Sequence, residues 1–326
     1  MPRIEIAEIT RLSETALARH GASAEIAAEM ARAIGWAEAR GNRICGLYYL
    51  ESYCQQLQSG RVDGQAVPVV TRPRSSEIRV DAAHGFAQPA FAAALPAALE
   101  AARDTGVVTL ALHHAHTCTA LGYFCEQIAR GGALGLGLTN ASPIVAAPGG
   151  KTRVIGTNPI SFAVPDGQGG VAMIFDQSTT TVALGRITMA RAAGEAIPEG
   201  WAVDAEGHPT TDPEAALAGS LTSAGGYKGW GFGLMAEILA ACLGGGVLSA
   251  DVKPLKAPQG APHDLGQYFL LIDPGQGDFF DRLAALAQVV TQDEGARMPG
   301  AGRVPSDSAD LPEPLWQQLQ DLAGAG

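Results

Sequence analysis

The chain has 326 residues, 47% hydrophobic and 17% charged, with a formal net charge of −11. This is ample apolar material for a large core, and it excludes general disorder. The acidic balance argues against nucleic acid or an anionic membrane as partner, and the absence of any uncharged apolar run of about 18 residues argues against a membrane span. The opening residues lack the apolar stretch of a signal peptide, so a cytoplasmic protein is expected, with one large or two to three smaller packed units. Cys45, Cys54, Cys118, Cys125 and Cys242 form no C-x-x-C pair and read as reduced thiols. Lysine is confined to Lys151, Lys228, Lys253 and Lys256.

Residues 4–40 read as two helices, with Ser23 as N-cap of the second. The stretch GNRICGLYYLESY (41–53) follows, and it is either packing or the wall of a reactive site. A short strand is predicted over 76–81 and a helix over 89–106, closed by Gly106. Strand, helix and strand signals then alternate over 107–115, 120–132 and 133–140. Further strands are predicted over 159–165 and 170–177, helices over 182–194 and 229–245, a late strand over 266–274 and a late helix over 279–292. Residues 250–266 read as an exposed loop, and 299–314 as a Gly/Pro-rich loop leading to a short terminal helix. The fold class is α/β, with strands gathered in the middle and helices at both ends.

Four segments carry candidate chemistry. GGYKGWGFG (225–233) opens a helix, where glycines admit a ligand to the backbone and Lys228 adds a cation; a tight turn with a solvent lysine is the alternative. Neither a Walker A spacing nor a G-x-G-x-x-G after a strand is present. VIGTNPISFAVP (154–165) presents Thr157 and Asn158, which either meet a ligand or cap their own turn. In LHHAHTCTALG (112–122), strict alternation puts His114 and His116 on one face and His113 on the other. No Asp, Glu or Cys at suitable spacing completes a metal set there, so no metal is expected and a polar contact to a ligand is preferred. Finally, Asp176 ends an apolar strand beside Ser178, Thr179 and Thr180, poised over a site or capping the next helix.

Taken together, GTNPISFAVP, the D-x-x-T-x-x-x-x-G-R-I pattern from Asp176 to Ile187, GEAIPEGWAVDAEGHPTTDPEAAL and GGYKGWGFGLMAEILAACLGG resemble the type-2 malate/L-lactate dehydrogenase (sulfolactate-dehydrogenase-like) family. That family includes ureidoglycolate dehydrogenase and the cyclic ketimine reductases. The resemblance implies a non-Rossmann α/β domain binding NAD or NADP, and a homodimer acting on a small-molecule substrate. It implies a helical part over 1–72 packed with 292–326, and an α/β region over 73–291 with a small helical insertion around 182–245. It also implies that Thr117, Thr157, Asn158, Asp176, Gln177, Ser178, Lys228, Gly229 and Arg303 lie around the cofactor.

The reacting end departs from the family pattern. Ile44 stands where relatives have serine, Cys45 and Thr117 where they have histidine, and Tyr49 where they have arginine; Tyr53 keeps the family tyrosine, and His116 falls one residue early. A bulge is needed to bring it to the right face. The expected reacting groups are therefore Cys45, Tyr53, His116 and Asp176, with Tyr49 and Thr117 at the substrate. Loss of imidazole and guanidinium weakens ordinary malate or lactate chemistry, since these supply the proton and the carboxylate clamp. A cyclic imine that arrives protonated needs hydride more than acid. Reduction of a 2-oxo acid or a cyclic imine carboxylate is thus the expected activity, and a diverged nucleotide-binding homologue without turnover is the alternative.

Overall fold

The computed structural model describes residues 1–275 and 277–325. The chain begins with β1 (Arg3–Glu5), α1 (Ile6–Arg19) and α2 (Ala24–Ala39). The Ser23 side chain accepts the Ile26 N–H, which satisfies one of the donors a helix start leaves orphaned and fixes where α2 begins. Two single 3₁₀ turns, Arg43–Cys45 and Leu47–Tyr49, lead into α3 (Leu50–Ser59), which Gly60 closes in the left-handed region. Next come β2 (Val69–Arg74), β3 (Glu77–Asp81), α4 (Ala87–Thr105), β4 (Val107–Ala115), α5 (Leu121–Arg130), β5 (Leu134–Thr139), β6 (Val145–Ala146), β7 (Arg153–Ile155), β8 (Ile160–Pro165) and β9 (Val171–Gln177). The remainder holds α6 (Leu184–Ala193), β10 (Ala202–Val203), β11 (Pro209–Thr210), α7 (Pro213–Ala218), β12 (Ser220–Leu221), α8 (Tyr227–Glu237) continued by a π-helical turn Ile238–Leu243, β13 (Leu265–Ile272), α9 (Phe279–Val290), β14 (Ser308–Asp310) and α10 (Glu313–Ala323). Among the described residues no helix is long and apolar enough to cross a membrane.

The main sheet has seven strands in the order β2-β3-β4-β13-β5-β8-β9. Only β3 and β4 run parallel; the other neighbours are antiparallel. A doubly wound parallel sheet is therefore absent from this α/β fold, in keeping with the missing dinucleotide fingerprint. α4 and α5 cover one face, where Phe91, Phe124 and Phe269 meet. The alanines of α4 let that helix lie close to the strands. On the other face Ala236 of α8 packs with Ala111, Leu138 and Tyr268.

The two chain ends share a second core. Ile9, Leu12, Leu17, Met30 and Ile34 pack with Leu311, Leu319 and Ala323, and β1 pairs antiparallel with β14. At about 1.5–3 kcal/mol for each large buried side chain, this seam holds the termini together firmly.

Three features differ from the sequence reading. The region expected as a small helical insertion contributes to a five-stranded sheet, β11-β10-β12-β6-β7, with its own core of Val145, Ile155, Ile187 and Leu221. Strands of two or three residues carry no readable alternation. β4 departs from regular alternation near its end: Leu112 faces Gln267 and Ala115 faces Leu265, so His113 and His114 together oppose Gly266. This bulge sets His114 at φ 50. Finally, the loop read as exposed over 250–266 contains His263, which is buried.

Candidate active site

The 41–53 stretch folds as two tight turns leading into α3. Glu38, buried near the end of α2, accepts the Leu47 N–H through Oε1 at 2.8 Å. Gly46 packs directly on that carboxylate, and a Cβ there would collide with it. The bond and the contact bend the chain between the two 3₁₀ turns and place Cys45, Tyr49 and Tyr53 side by side. Tyr49 and Tyr53 stack with ring centroids 5.9 Å apart. Burial, then the Asp176 charge, pushes the Cys45 thiol up to about 12, with the Asn42 side chain acting the other way. Burial, then Cys45, pushes Tyr49 up to about 12. Burial likewise holds Tyr53 well above its ordinary value. The Tyr53 hydroxyl lacks a partner in hydrogen-bond geometry, although Thr119 lies near enough to act weakly on it. None of the three is an effective proton donor or nucleophile near neutrality.

Asp176 stands opposite. β9 carries it to the first turn of α5, where its Oδ2 accepts the Gly122 N–H at 2.7 Å. Gly122 is small for a reason: a Cβ there would sit 3.2 Å from Asp176 Cβ and 3.3 Å from Trp36. Burial raises the Asp176 carboxyl to about 6, against the helix-start N–H groups of Gly122 and Leu121. It is the group in this neighbourhood whose titration falls near working pH.

Asp176 also opens onto a cavity of about 760 Å³ that includes Asn42, Gly122, Gln177, Arg297 and Arg303 in its lining. The 298–303 loop builds one side of it by docking on edge strand β9, with Ile174 N–H donating to Pro299 O at 3.0 Å. Gly300, at φ 75, is required there because a Cβ would meet Ile174 Cγ2 at 2.6 Å. The structure thus brings Arg303 to Asp176 and Gln177, from which it lies far apart in sequence.

A second group continues from the end of β9. Thr179 donates to Thr157 O through both its N–H and its hydroxyl, and Ala224 N–H donates to Thr179 O. Ser178 lies beside them, with its hydroxyl 2.9 Å from that of Thr180. Lys228 is exposed in the first turn of α8. Two residues expected at the cofactor brace the scaffold. Asn158 is 0% exposed, donates to Gly233 O and Glu237 Oε2, and accepts the Gly156 N–H. Gly229 packs against the Ala224 carbonyl, where no Cβ fits.

The histidines redistribute. His116 does not join Asp176: it is buried, its Nε2 lies 2.8 Å from Gln56 Oε1, and its ring stacks on His263 with edges of Phe86 and Tyr53 beside it. Thr117 is also buried. His113 and His114 fall together rather than on opposite faces, and β3 brings Asp81 to them, with Asp81 Oδ1 3.0 Å from His114 Nδ1. Spacing along the chain hid that carboxylate, because it comes from a neighbouring strand. The sequence reading also missed Glu38, Thr119 and Gly300. Of these only Gly300, inside M-P-G-A-G-R, carried a signal.

A sequence profile of the malate/L-lactate dehydrogenase family matches residues 4–311. The (2R)-3-sulfolactate dehydrogenase (NADP(+)) of Chromohalobacter salexigens is 38% identical over 329 residues, covering 98% of each chain. The Delta(1)-pyrroline-2-carboxylate reductase of Ancylobacter novellus is 36% identical, covering 99% of this chain and 98% of its own. Among solved structures, delta1-piperideine-2-carboxylate reductase from Pseudomonas syringae pv. tomato has a TM-score of 0.84 at 32% identity, over 99% of this chain and 100% of that one. Sulfolactate dehydrogenase from Methanocaldococcus jannaschii has a TM-score of 0.89 at 26% identity, over 99% and 97%. A profile match across nearly the whole length, with full-length relatives above 30% identity, means that the chain belongs to the malate/L-lactate dehydrogenase family.

Proposed function

We propose that the chain is an NAD(P)-dependent oxidoreductase that delivers hydride to a cyclic imine carboxylate. The observation that carries this reading is the acid–base character of the site. Asp176, with a pKa near 6, acts on the Cys45 thiol, held like its neighbour Tyr49 at about 12, and the nearby His116 imidazole is buried behind Tyr53 and paired with Gln56. A ketone needs a proton donor as hydride arrives; the thiol and phenol are poor donors, and Asp176 is mostly ionised above pH 6. A protonated imine needs none. It needs an anion near its nitrogen, and ionised Asp176 is that anion.

The residues present fit a nicotinamide dinucleotide. The cavity beside Asp176 has the size of a cofactor pocket, and Arg297 and Arg303 bring guanidinium groups suited to phosphate. The start of α8 adds Lys228 and free backbone N–H groups. Gln177, Ser178, Thr157, Lys228 and Arg303 would hold the cofactor, which supplies hydride when bound. Asp176 then orients the iminium, and the Tyr49 ring, backed by the buried Tyr53, forms the wall against which the substrate lies. A homodimer belongs to the same proposal: α8 and its π-turn present Tyr227, Phe232, Ile238 and Leu243 to solvent, surface suited to a second copy. Light scattering tests that part.

The activity is tested with a panel of cyclic imine carboxylates and 2-oxo acids, each with NADPH and with NADH, followed by nicotinamide fluorescence and product mass. Turnover of the imines above the 2-oxo acids is expected. Turnover of 2-oxo acids alone would overturn the imine assignment. Cofactor binding with no turnover of either class would support the diverged, non-enzymatic homologue.

A further inference from the structure

The loop over 250–263 reads as a plain surface connection, yet buried side chains grip it closely around one residue. Gln56, 0% exposed, donates from Nε2 to the carbonyls of Leu255 at 2.7 Å and Ala257 at 2.9 Å, the two residues that flank Lys256. Arg61, 2% exposed, donates to the carbonyls of Pro254 at 3.0 Å, Ala257, and Ala261 at 3.0 Å. Ser59 donates to Pro258 O at 2.6 Å. Gln56 is itself held by His116, whose ring stacks on His263 at the end of the same loop. A full set of buried polar groups is thus committed to fixing the backbone on both sides of an exposed lysine.

That backbone places the Lys256 ammonium over the tyrosine wall. Nζ lies 3.1 Å from the ring centroid of Tyr48 and 5.2 Å from that of Tyr49. Tyr49 stacks on Tyr53 and neighbours Cys45, and Cys45 feels the Asp176 charge. Asp176 and Lys256 therefore lie at the two ends of one run of neighbours, Asp176, Cys45, Tyr49 and Lys256, with opposite charges. A cyclic imine carboxylate also carries two opposite charges, an iminium and a carboxylate on the adjacent carbon.

We propose that Lys256 is a substrate-binding residue that pairs with the carboxylate of the 2-oxo or cyclic imine acid, opposite Asp176. The assignment rests on the proposed function for its substrate class. The four bonds from Gln56 and Arg61 to the carbonyls of residues 254, 255 and 257 supply the order that a flexible lysine needs to act as a clamp. Resting over Tyr48, the ammonium keeps a cation–π partner until a carboxylate displaces it.

The test uses steady-state kinetics with NADPH on 1-piperideine-2-carboxylate and on 1-piperideine, the same ring without the carboxylate, together with calorimetric binding of picolinate. Lys256→Met should raise KM for the carboxylate substrate at least about tenfold, the effect of losing one charge-assisted pair. It should leave kcat within about threefold and leave 1-piperideine unaffected, and Lys256→Arg should recover most of the loss. Picolinate should bind Lys256→Met at least about tenfold more weakly than the unaltered protein. Equal kinetics and equal picolinate binding in Lys256→Met would overturn the assignment, and so would equal damage on both imines. If no imine or 2-oxo acid turns over but picolinate still binds through Lys256, the clamp stands and the proposed reaction falls. If imines turn over without regard to Lys256, the reaction stands and the clamp falls.

Discussion

Acid should unfold this protein through a pair of stacked imidazoles. His116 and His263 lie ring on ring, with centroids 3.8 Å apart and 8° between their planes, and each is 1% exposed. Burial, then His263 and Arg61, pulls His116 well below its ordinary range. Burial, then Arg61, pulls His263 down to about 3. Neither His263 nitrogen has a partner in hydrogen-bond geometry, although Leu255 lies near enough to favour its charged form weakly. Both folded pKa values lie below the unfolded one, so the unfolded chain binds these protons first. The stability is then fully present above about pH 6.5 and is lost as pH falls toward 3. Between about pH 7.5 and 4.5, His263 alone should remove about 3 kcal/mol. His263→Phe keeps a ring against His116 and deletes the titration. Unfolding free energies from guanidinium titrations followed by tryptophan fluorescence should then fall less steeply with acid in the variant. The difference in slope should be about 1.4 kcal/mol per pH unit, one proton's worth. Parallel pH dependences would refute the reasoning, because His263 would then titrate alike in both states.

Asp176→Asn should lower kcat/KM for the imine at least about 100-fold, while calorimetry finds its Tm at pH 8 equal to or above wild type. The sign follows from the raised pKa: ionised Asp176 is disfavoured in the fold, so the stability it contributes is lost as pH rises through about 6. Gly300→Ala, forced against Ile174 at a left-handed backbone position, should displace the 298–303 loop and raise KM for the cofactor at least about tenfold. Cys45→His places an imidazole beside Asp176, where it can be protonated, and should raise 2-oxo acid turnover at least about tenfold. An unchanged 2-oxo acid rate in a folded Cys45→His protein would show that the proton donor is not what limits that reaction.

Elements with a clear period were legible in the sequence. Ser23 marks the start of α2, Gly106 the end of α4, and the alternation from β4 through α5 to β5 follows the hydrophobic pattern. What long-range pairing decides was not legible. β1 and β14 are three residues each and meet from opposite chain ends. The bulge at His113–His114 exists because Gly266 opposes both, so the faces of three histidines could not be assigned from β4 alone. Asn158 shows the limit for single residues. A polar side chain before proline suits a ligand contact or a buried brace equally well, and only the positions of Gly233 and Glu237 decide for the brace. Lys256 shows the converse. Nothing in a proline-rich loop sequence indicates that Gln56 and Arg61 hold it from beneath.

The residues around Asp176 are consistent with one another as electrostatics. Asp176 is open to the cavity at a helix start, where the Gly122 N–H supports its charge while the surrounding walls leave it incompletely solvated. A neutral ketone settling against the tyrosine wall would strip water from that charge and offer no cation in return. Leaving that charge unpaired weakens such a substrate relative to a cationic one. A protonated imine pairs with the charge as it displaces the water, and it brings its own proton. In that setting an imidazole at position 45 would compete for Asp176 as a second cation, whereas the neutral Cys45 thiol does not. Under the proposed function this charge pattern would select a cationic ring over a neutral ketone, and the preference should strengthen as pH rises through the Asp176 titration near 6 and fade once the imine itself loses its proton.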